Sequence, residues 1–127
     1  MSTAENYDIQ VSVTTDYITE QSIPEEDRYV FAYTITIENH GKIAAKLQTR
    51  HWYITNADNN VEEVMGEGVV GEHPHLQPGE SYQYTSGAVI ETPVGSMYGS
   101  YQMLADDGTK FDAPIKPFTL SIPHALN

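Results

Sequence analysis

The residues best suited to chemistry form a glycine motif, Gly66-Glu67-Gly68-Val69-Val70-Gly71, which matches G-x-G-x-x-G. In dinucleotide-binding folds such glycines bring the backbone close to a pyrophosphate at the N-terminus of a helix. No helix is expected here, because the residue before Pro74 is biased away from helical angles and Pro78 interrupts the next turn. We therefore predict a loop or bulged strand. Binding of an anion by the backbone amides around the three glycines stays open as an alternative.

Two histidines, His73 and His75, flank Pro74 and could ligate a metal ion through their imidazole nitrogens. The carboxylates of Glu72 and Glu80 are close enough in sequence to complete such a site. The spacing matches none of the known metal-binding sequence patterns. We interpret both histidines as ordinary loop residues, with a divalent-cation sensor as an alternative function.

The sequence offers no recognisable catalytic group. It contains no cysteine, which excludes thiol nucleophiles, disulfides and thiolate metal sites. Ser86 precedes Gly87, but the G-x-S-x-G elbow of serine hydrolases is missing. Carboxylates are so common in this chain that no two of them stand out as an acid/base pair. We predict a protein that is not an enzyme, that has no catalytic residues and that needs no cofactor.

Aromatic side chains are the third candidate feature, since the chain has one Trp, nine Tyr and three Phe. Trp and Tyr supply much of the binding energy at protein interfaces. Most of them should lie in the core or on half-buried sheet faces. Trp52, Tyr53 and Tyr98 are nevertheless candidates for an exposed patch that binds a protein partner.

Charge narrows the class of partner. Six basic residues against 18 acidic ones give a formal net charge of −12, which repels nucleic acids and anionic membranes at long range. No apolar run approaches the roughly 20 residues that cross a bilayer. Residues 1–6 lack the basic and apolar segments of a signal peptide. We therefore expect a cytoplasmic protein that binds no nucleic acid and does not insert into membranes.

The elements that must position these residues are predicted to be β-strands, because turn signals recur about every ten residues and no long segment has helical periodicity. Strict alternation is clearest over residues 29–38. Further strands are expected over residues 7–19, 45–55, 61–65, 81–85, 95–104 and 115–122. In the strand over residues 45–55, alternation groups Leu47, Thr49, His51 and Tyr53 on one face, opposite Gln48, Arg50, Trp52 and Ile54.

About seven or eight strands with short connections indicate an all-β, antiparallel fold, either a two-sheet sandwich or a barrel. The length of 127 residues suits one domain, so we predict a single domain over residues 1–127 with flexible ends at 1–6 and 124–127. Edge strands in such a fold can pair across a two-fold axis, which leaves a homodimer open.

The run Arg50-His51-Trp52-Tyr53-Ile54-Thr55 resembles the bacterial ApaG family, whose domain also occurs in some eukaryotic F-box proteins and polymerase-delta-interacting proteins. His73 stands where the family is expected to carry Gln or a similar polar residue, which argues against metal binding by His73 as a family trait. Besides the glycine motif, similar stretches follow in order along the chain: Leu76-Gln77-Pro78-Gly79-Glu80, Tyr84-Thr85-Ser86-Gly87 and Gly95-Ser96-Met97-Tyr98-Gly99-Ser100-Tyr101-Gln102-Met103.

This resemblance implies an antiparallel two-sheet β-sandwich of the immunoglobulin or fibronectin type III kind, in agreement with the strand pattern. It also implies a genetic association with cobalt resistance and magnesium efflux in bacteria, and no known catalytic residues. The eukaryotic relatives suggest an interaction module. We expect a non-enzymatic module that acts through protein–protein interaction. The alternatives are a divalent-cation sensor and an anion or pyrophosphate binder that uses the loop over residues 66–71.

Overall fold

The computed structural model describes residues 6–124, which form eight β-strands and two short 3-10 turns, Thr19–Gln21 and Pro24–Glu26. None of these described residues belongs to a helix long and apolar enough to cross a membrane. The ends expected to be flexible, 1–6 and 124–127, lie largely outside the described residues. The strands are β1 (Ile9–Tyr17), β2 (Tyr29–Asn39), β3 (Ala45–Asn56), β4 (Val61–Glu67), β5 (His75–Leu76), β6 (Ser81–Ile90), β7 (Val94–Ala105) and β8 (Lys110–Ser121).

The strands form two antiparallel sheets. The smaller sheet has the order β1-β2-β6, and the larger has the order β4-β3-β7-β8 with β5 paired to one end of β3. The prediction of an all-β, antiparallel two-sheet sandwich is confirmed. Two strands begin or end five residues beyond their predicted bounds: β6 continues to Ile90 in register with β2, and β8 already begins at Lys110.

The hydrophobic core fills the space between the sheets. Phe31, Ile35 and Ile37 on β2 are each at most 1% exposed, which confirms the alternation predicted for this strand. Leu47 on β3 and Tyr101 on β7 approach them from the larger sheet and are equally buried. Full burial of one such side chain contributes about 1.5–3 kcal/mol, so this layer fixes how the two sheets face each other.

Strand β3 departs from the predicted alternation at a β-bulge. Leu47 and Thr49 pair with consecutive residues of β7, so Gln48 is an extra residue between them. An extra residue reverses which side chains face the core beyond it. Leu47 faces the core before the bulge, Trp52 faces it after the bulge, and Tyr53 faces outward. The predicted grouping of Leu47 with Tyr53 on one face was wrong for this reason.

Candidate functional site

The outer face of the larger sheet carries two stacked tyrosines. Tyr53 on β3 pairs directly with Tyr98 on β7, and their ring centroids lie 5.0 Å apart with an interplanar angle of 15°. The ring of His51 lies 4.7 Å from that of Tyr53. Glu63 on β4 is the cross-strand partner of Tyr53, and its Oε2 lies 2.5 Å from Nε2 of His51. The two central strands thus hold three rings side by side.

Apolar side chains on β4 extend this aromatic row toward the edge of the sheet. Met65 pairs with His51 and is 72% exposed, and Val61 pairs with Thr55 and is 58% exposed. Tyr98 itself is 40% exposed. Exposed aromatic and apolar side chains that lie together on a surface are typical of protein–protein interfaces. We call the set the outer aromatic surface, which consists of His51, Tyr53, Val61, Glu63, Met65 and Tyr98.

The surroundings of the Tyr53 hydroxyl oppose its ionisation. Partial desolvation in the stack, followed by the negative charge of Glu63, raises the pKa of Tyr53 above its ordinary value. Like other tyrosine hydroxyls, that of Tyr53 is a hydrogen-bond donor at neutral pH, and this shift extends that state to higher pH. The outer aromatic surface combines flat rings, a neutral donor and one carboxylate, which suits contact with another macromolecule.

Trp52, the third residue predicted for this patch, lies on the opposite face of β3. It is 3% exposed and meets Tyr33, Tyr101 and Phe118 edge-on, with centroid distances of 5.6, 6.3 and 5.9 Å. Edge-to-face contacts of this kind stabilise a core beyond simple burial. The prediction that Trp52 is exposed was wrong, because the bulge at Gln48 turns it toward the smaller sheet.

A pair of buried tyrosines joins the two sheets next to Trp52. The hydroxyls of Tyr84 on β6 and Tyr101 on β7 share a hydrogen bond across the core. Burial raises the pKa of both hydroxyls well above the ordinary value. Both therefore stay protonated at neutral pH and act as a polar link inside the sandwich.

The glycine motif forms a tight hairpin that follows β4. Val69 and Glu72 exchange two backbone hydrogen bonds, at 2.8 and 2.9 Å, across the central residues Val70 and Gly71. Both central residues have positive φ, 50° and 77°, which is the requirement of a type I′ turn and favours glycine at its second position. No helix follows the motif before β5 begins at His75, so the predicted loop is confirmed.

Two further glycines of the motif leave room for close neighbours. A Cβ on Gly68, whose φ is 58°, would lie 2.3 Å from the carbonyl oxygen of Glu72, and a Cβ on Gly66 would lie 2.7 Å from Cζ of Arg50. The amide of Gly68 donates to the carbonyl of Gln48 at 2.9 Å. Anion binding by the amides of this loop stays a prediction, with the Gly68 amide already bonded within the protein.

The histidine pair is tied to two different parts of the chain. His73 Nδ1 donates to the carbonyl of Leu47 at 3.1 Å, and His75 Nε2 lies 2.8 Å from Oδ1 of Asp106. Within residues 6–124, no group of three or more His, Asp or Glu side chains is arranged to hold a metal ion. Metal binding by His73 and His75 therefore stays a prediction.

Sequence reasoning missed the residues that surround the two tyrosines, although a signal for them existed. The hairpin loop after β3 sets Thr55 opposite Val61. Counting back from that loop places Glu63 opposite Tyr53 and Met65 opposite His51, on the same face. The stacking of Tyr53 on Tyr98 has no such local signal, because β3 and β7 are far apart in the sequence.

Comparison with known proteins agrees with the fold and with the earlier resemblance. Residues 19–105 match the sequence profile of the ApaG domain. A protein ApaG from Thiobacillus denitrificans is 60% identical over 127 residues, which is 100% of both chains. Another, from Pseudomonas putida strain F1, is 60% identical over 121 residues, which cover 95% of this chain and 96% of the relative.

Solved structures also match this fold. The crystal structure of a Bordetella pertussis protein, structural-genomics target BeR40, superposes with a TM-score of 0.92 at 46% sequence identity. The match covers 95% of this chain and 98% of that protein. Profile, sequence relatives and fold confirm the resemblance: this chain belongs to the ApaG domain family.

Proposed function

We propose that this protein is a non-enzymatic module that binds another protein through the outer aromatic surface. The observation that carries the proposal is the stacked pair Tyr53 and Tyr98, which two adjacent strands hold beside the exposed Met65. Aromatic residues and Met are enriched where protein surfaces meet. Rings that are already packed in place lose little conformational entropy on binding.

Charge indicates the kind of partner that this surface fits. Glu63 lies among the rings, and the whole chain has a formal net charge of −12. An Arg or Lys of a partner can pair with Glu63 and stack on the exposed face of Tyr98. The proposed partner therefore presents a basic residue beside apolar side chains, and the charges speed its approach.

The family resemblance suggests a cellular location and role for this module. We place the module in the cytoplasm and suggest that it affects cobalt resistance and magnesium efflux indirectly, by binding a protein that handles these ions. The aromatic and apolar contact groups of the outer aromatic surface support a protein partner for this role. The exposed rings and apolar side chains of this surface therefore support binding as its activity.

Site-specific cross-linking tests the proposal. A photoreactive phenylalanine analogue replaces Met65 on the outer aromatic surface in one variant and Gln83 in the other. Gln83 is an exposed control on β6 of the smaller sheet. In living cells, we expect a specific cross-linked protein from position 65 and none from position 83. Equal yields from both positions, or a product from position 83 alone, would contradict the proposal.

A further inference from the structure

Arg50 is a charged residue on the inner face of a sandwich. It lies two residues beyond the bulge at Gln48 and so shares the inward face of β3 with Trp52. It reaches the opening between β4 and β6, the edge strands of opposite sheets. Tyr33, Arg50, Trp52 and Ser86 together line this opening. We call it the Arg50 cleft.

The glycine motif holds the guanidinium of Arg50 in one orientation. Gly66 stands opposite Arg50 in the register of β3 with β4, and the guanidinium fills the space that a side chain at position 66 would take. Nη1 donates to the carbonyl oxygens of Glu67 at 2.8 Å and Gly68 at 2.9 Å. These two bonds hold the guanidinium in place. The N–H groups of Nε and Nη2 stay available for another acceptor.

The remaining donors of Arg50 have no protein partner within residues 6–124. Nε and Nη2 make no hydrogen bond there, and no carboxylate oxygen lies within 4.0 Å of the guanidinium. No buried side-chain nitrogen or oxygen among the described residues lacks a hydrogen-bond partner, so the Nε and Nη2 donors of Arg50 remain open to solvent in the cleft. The chain has 18 acidic residues that could have provided a carboxylate partner for Arg50. Arg50 is instead free to accept an external anion.

Ser86 supplies a second polar group on the opposite side of the cleft. It lies on the inward face of β6 between Tyr84 and Ala88, and its hydroxyl has no hydrogen-bond partner among the described residues. Arg50 and Ser86 line a depression of about 350 Å³ and a neighbouring one of about 220 Å³. The larger is at the low end of the range of small-molecule sites, roughly 300–1,000 Å³.

The other residues that line the Arg50 cleft indicate which class of ligand it can bind. Ile54 and Val64, which are partly exposed, give one side of the larger depression an apolar wall over the buried Trp52. Glu62 adds a negative charge on the β4 side. Glu62 and the net charge of −12 repel anions in proportion to their charge, so a singly charged carboxylate, which matches the planar fork of Arg50, is disfavoured less than a polyphosphate. We propose that the Arg50 cleft binds the carboxylate of a small molecule with an apolar body. The proposal is independent of the outer aromatic surface, which lies on the other face of β3.

An NMR titration with matched probes tests this site. The probes are 4-phenylbutyrate, its neutral analogue 4-phenylbutanamide, and inorganic phosphate. We expect 4-phenylbutyrate to give saturable shifts at Arg50 Nε–H, the Trp52 indole N–H and the Ser86 amide, with a Kd of about 1 mM. The other two probes should leave these signals in place. Equal shifts with the amide, shifts with phosphate alone, or no saturable shift with 4-phenylbutyrate would overturn the proposal.

Two variants locate the binding on the proposed atoms. Arg50→Gln removes the charge and should weaken binding of 4-phenylbutyrate at least about tenfold. Because this change also removes two bonds to the hairpin, Ser86→Ala on β6 serves as a milder variant and should weaken binding about threefold. Gln83→Ala is the control and should bind as the wild type does. Wild-type affinity in Arg50→Gln, or in Ser86→Ala where Arg50→Gln does not fold, overturns the assignment.

Discussion

Trp52 and Tyr53 are consecutive residues of β3, yet they belong to two separate aromatic clusters. Trp52 packs edge-on against Tyr33 and Tyr101 between the sheets and is 3% exposed. Tyr53 stacks on Tyr98 at the outer face, where Tyr98 keeps 40% of its surface exposed. The smaller sheet covers the first cluster, and no described element covers the second.

This difference indicates that the inner cluster stabilises the fold, whereas the outer cluster serves binding. The inner cluster contributes burial and edge-to-face contacts to folding. The outer cluster is already organised but still exposes apolar area, which only a partner can bury. Substitutions in the inner cluster should lower the free energy of unfolding. Substitutions in the outer aromatic surface should lower partner affinity and leave folding nearly unchanged.

The largest expected effect comes from Trp52→Ala. Truncation of a fully buried aromatic side chain costs about 3–5 kcal/mol, because it leaves a cavity among Tyr33, Tyr101 and Phe118. Tyr53→Ala on the neighbouring residue is the matched control, with an expected cost below about 1 kcal/mol. Urea unfolding followed by circular dichroism measures both. Equal losses from the two substitutions would contradict the separation of the clusters.

A smaller effect is expected from the buried tyrosine pair. Tyr84→Phe or Tyr101→Phe alone leaves one buried hydroxyl without its partner and should cost about 1–3 kcal/mol. The double variant removes both hydroxyls, so its cost should be less than the sum of the two single costs. A double-mutant cycle from urea unfolding gives the coupling. Strictly additive costs would show that the hydroxyls do not interact.

The same pair predicts a loss of stability at high pH. The folded protein raises the pKa of both hydroxyls, so they stay protonated in the fold, whereas an unfolded tyrosine releases its proton near about pH 10. The stabilisation is therefore complete below about pH 10 and falls as the pH rises further. Unfolding free energies measured from about pH 8 to about pH 11 should show a shallower decline in Tyr84→Phe/Tyr101→Phe than in the wild type. Identical declines in the two proteins would contradict this origin.

Much of the fold follows from local patterns in the sequence. Strand β2 was predictable because Phe31, Ile35 and Ile37 alternate without interruption and all face the core. Turn residues marked the connections, and Pro74 and Pro78 correctly argued against a helix after the glycine motif. These signals need no information from distant strands.

The errors arise where strands distant in sequence decide the geometry. The bulge at Gln48 exists only in the pairing of β3 with β7, and alternation within β3 alone wrongly grouped Leu47 with Tyr53 on one face. Tyr53 and Tyr98 were identified one by one, but their stacking depends on the same long-range register. The inward position of Arg50 follows from the bulge and was not predicted for that reason.

The double variant Tyr53→Ala/Tyr98→Ala tests the central claim most directly, with Gln83→Ala as the control. Its affinity for the protein that cross-links through position 65 is measured together with its free energy of unfolding. We predict binding at least about tenfold weaker than in the wild type, with unfolding changed by no more than about 1 kcal/mol. A stable double variant that binds this partner with wild-type affinity would contradict binding through the outer aromatic surface.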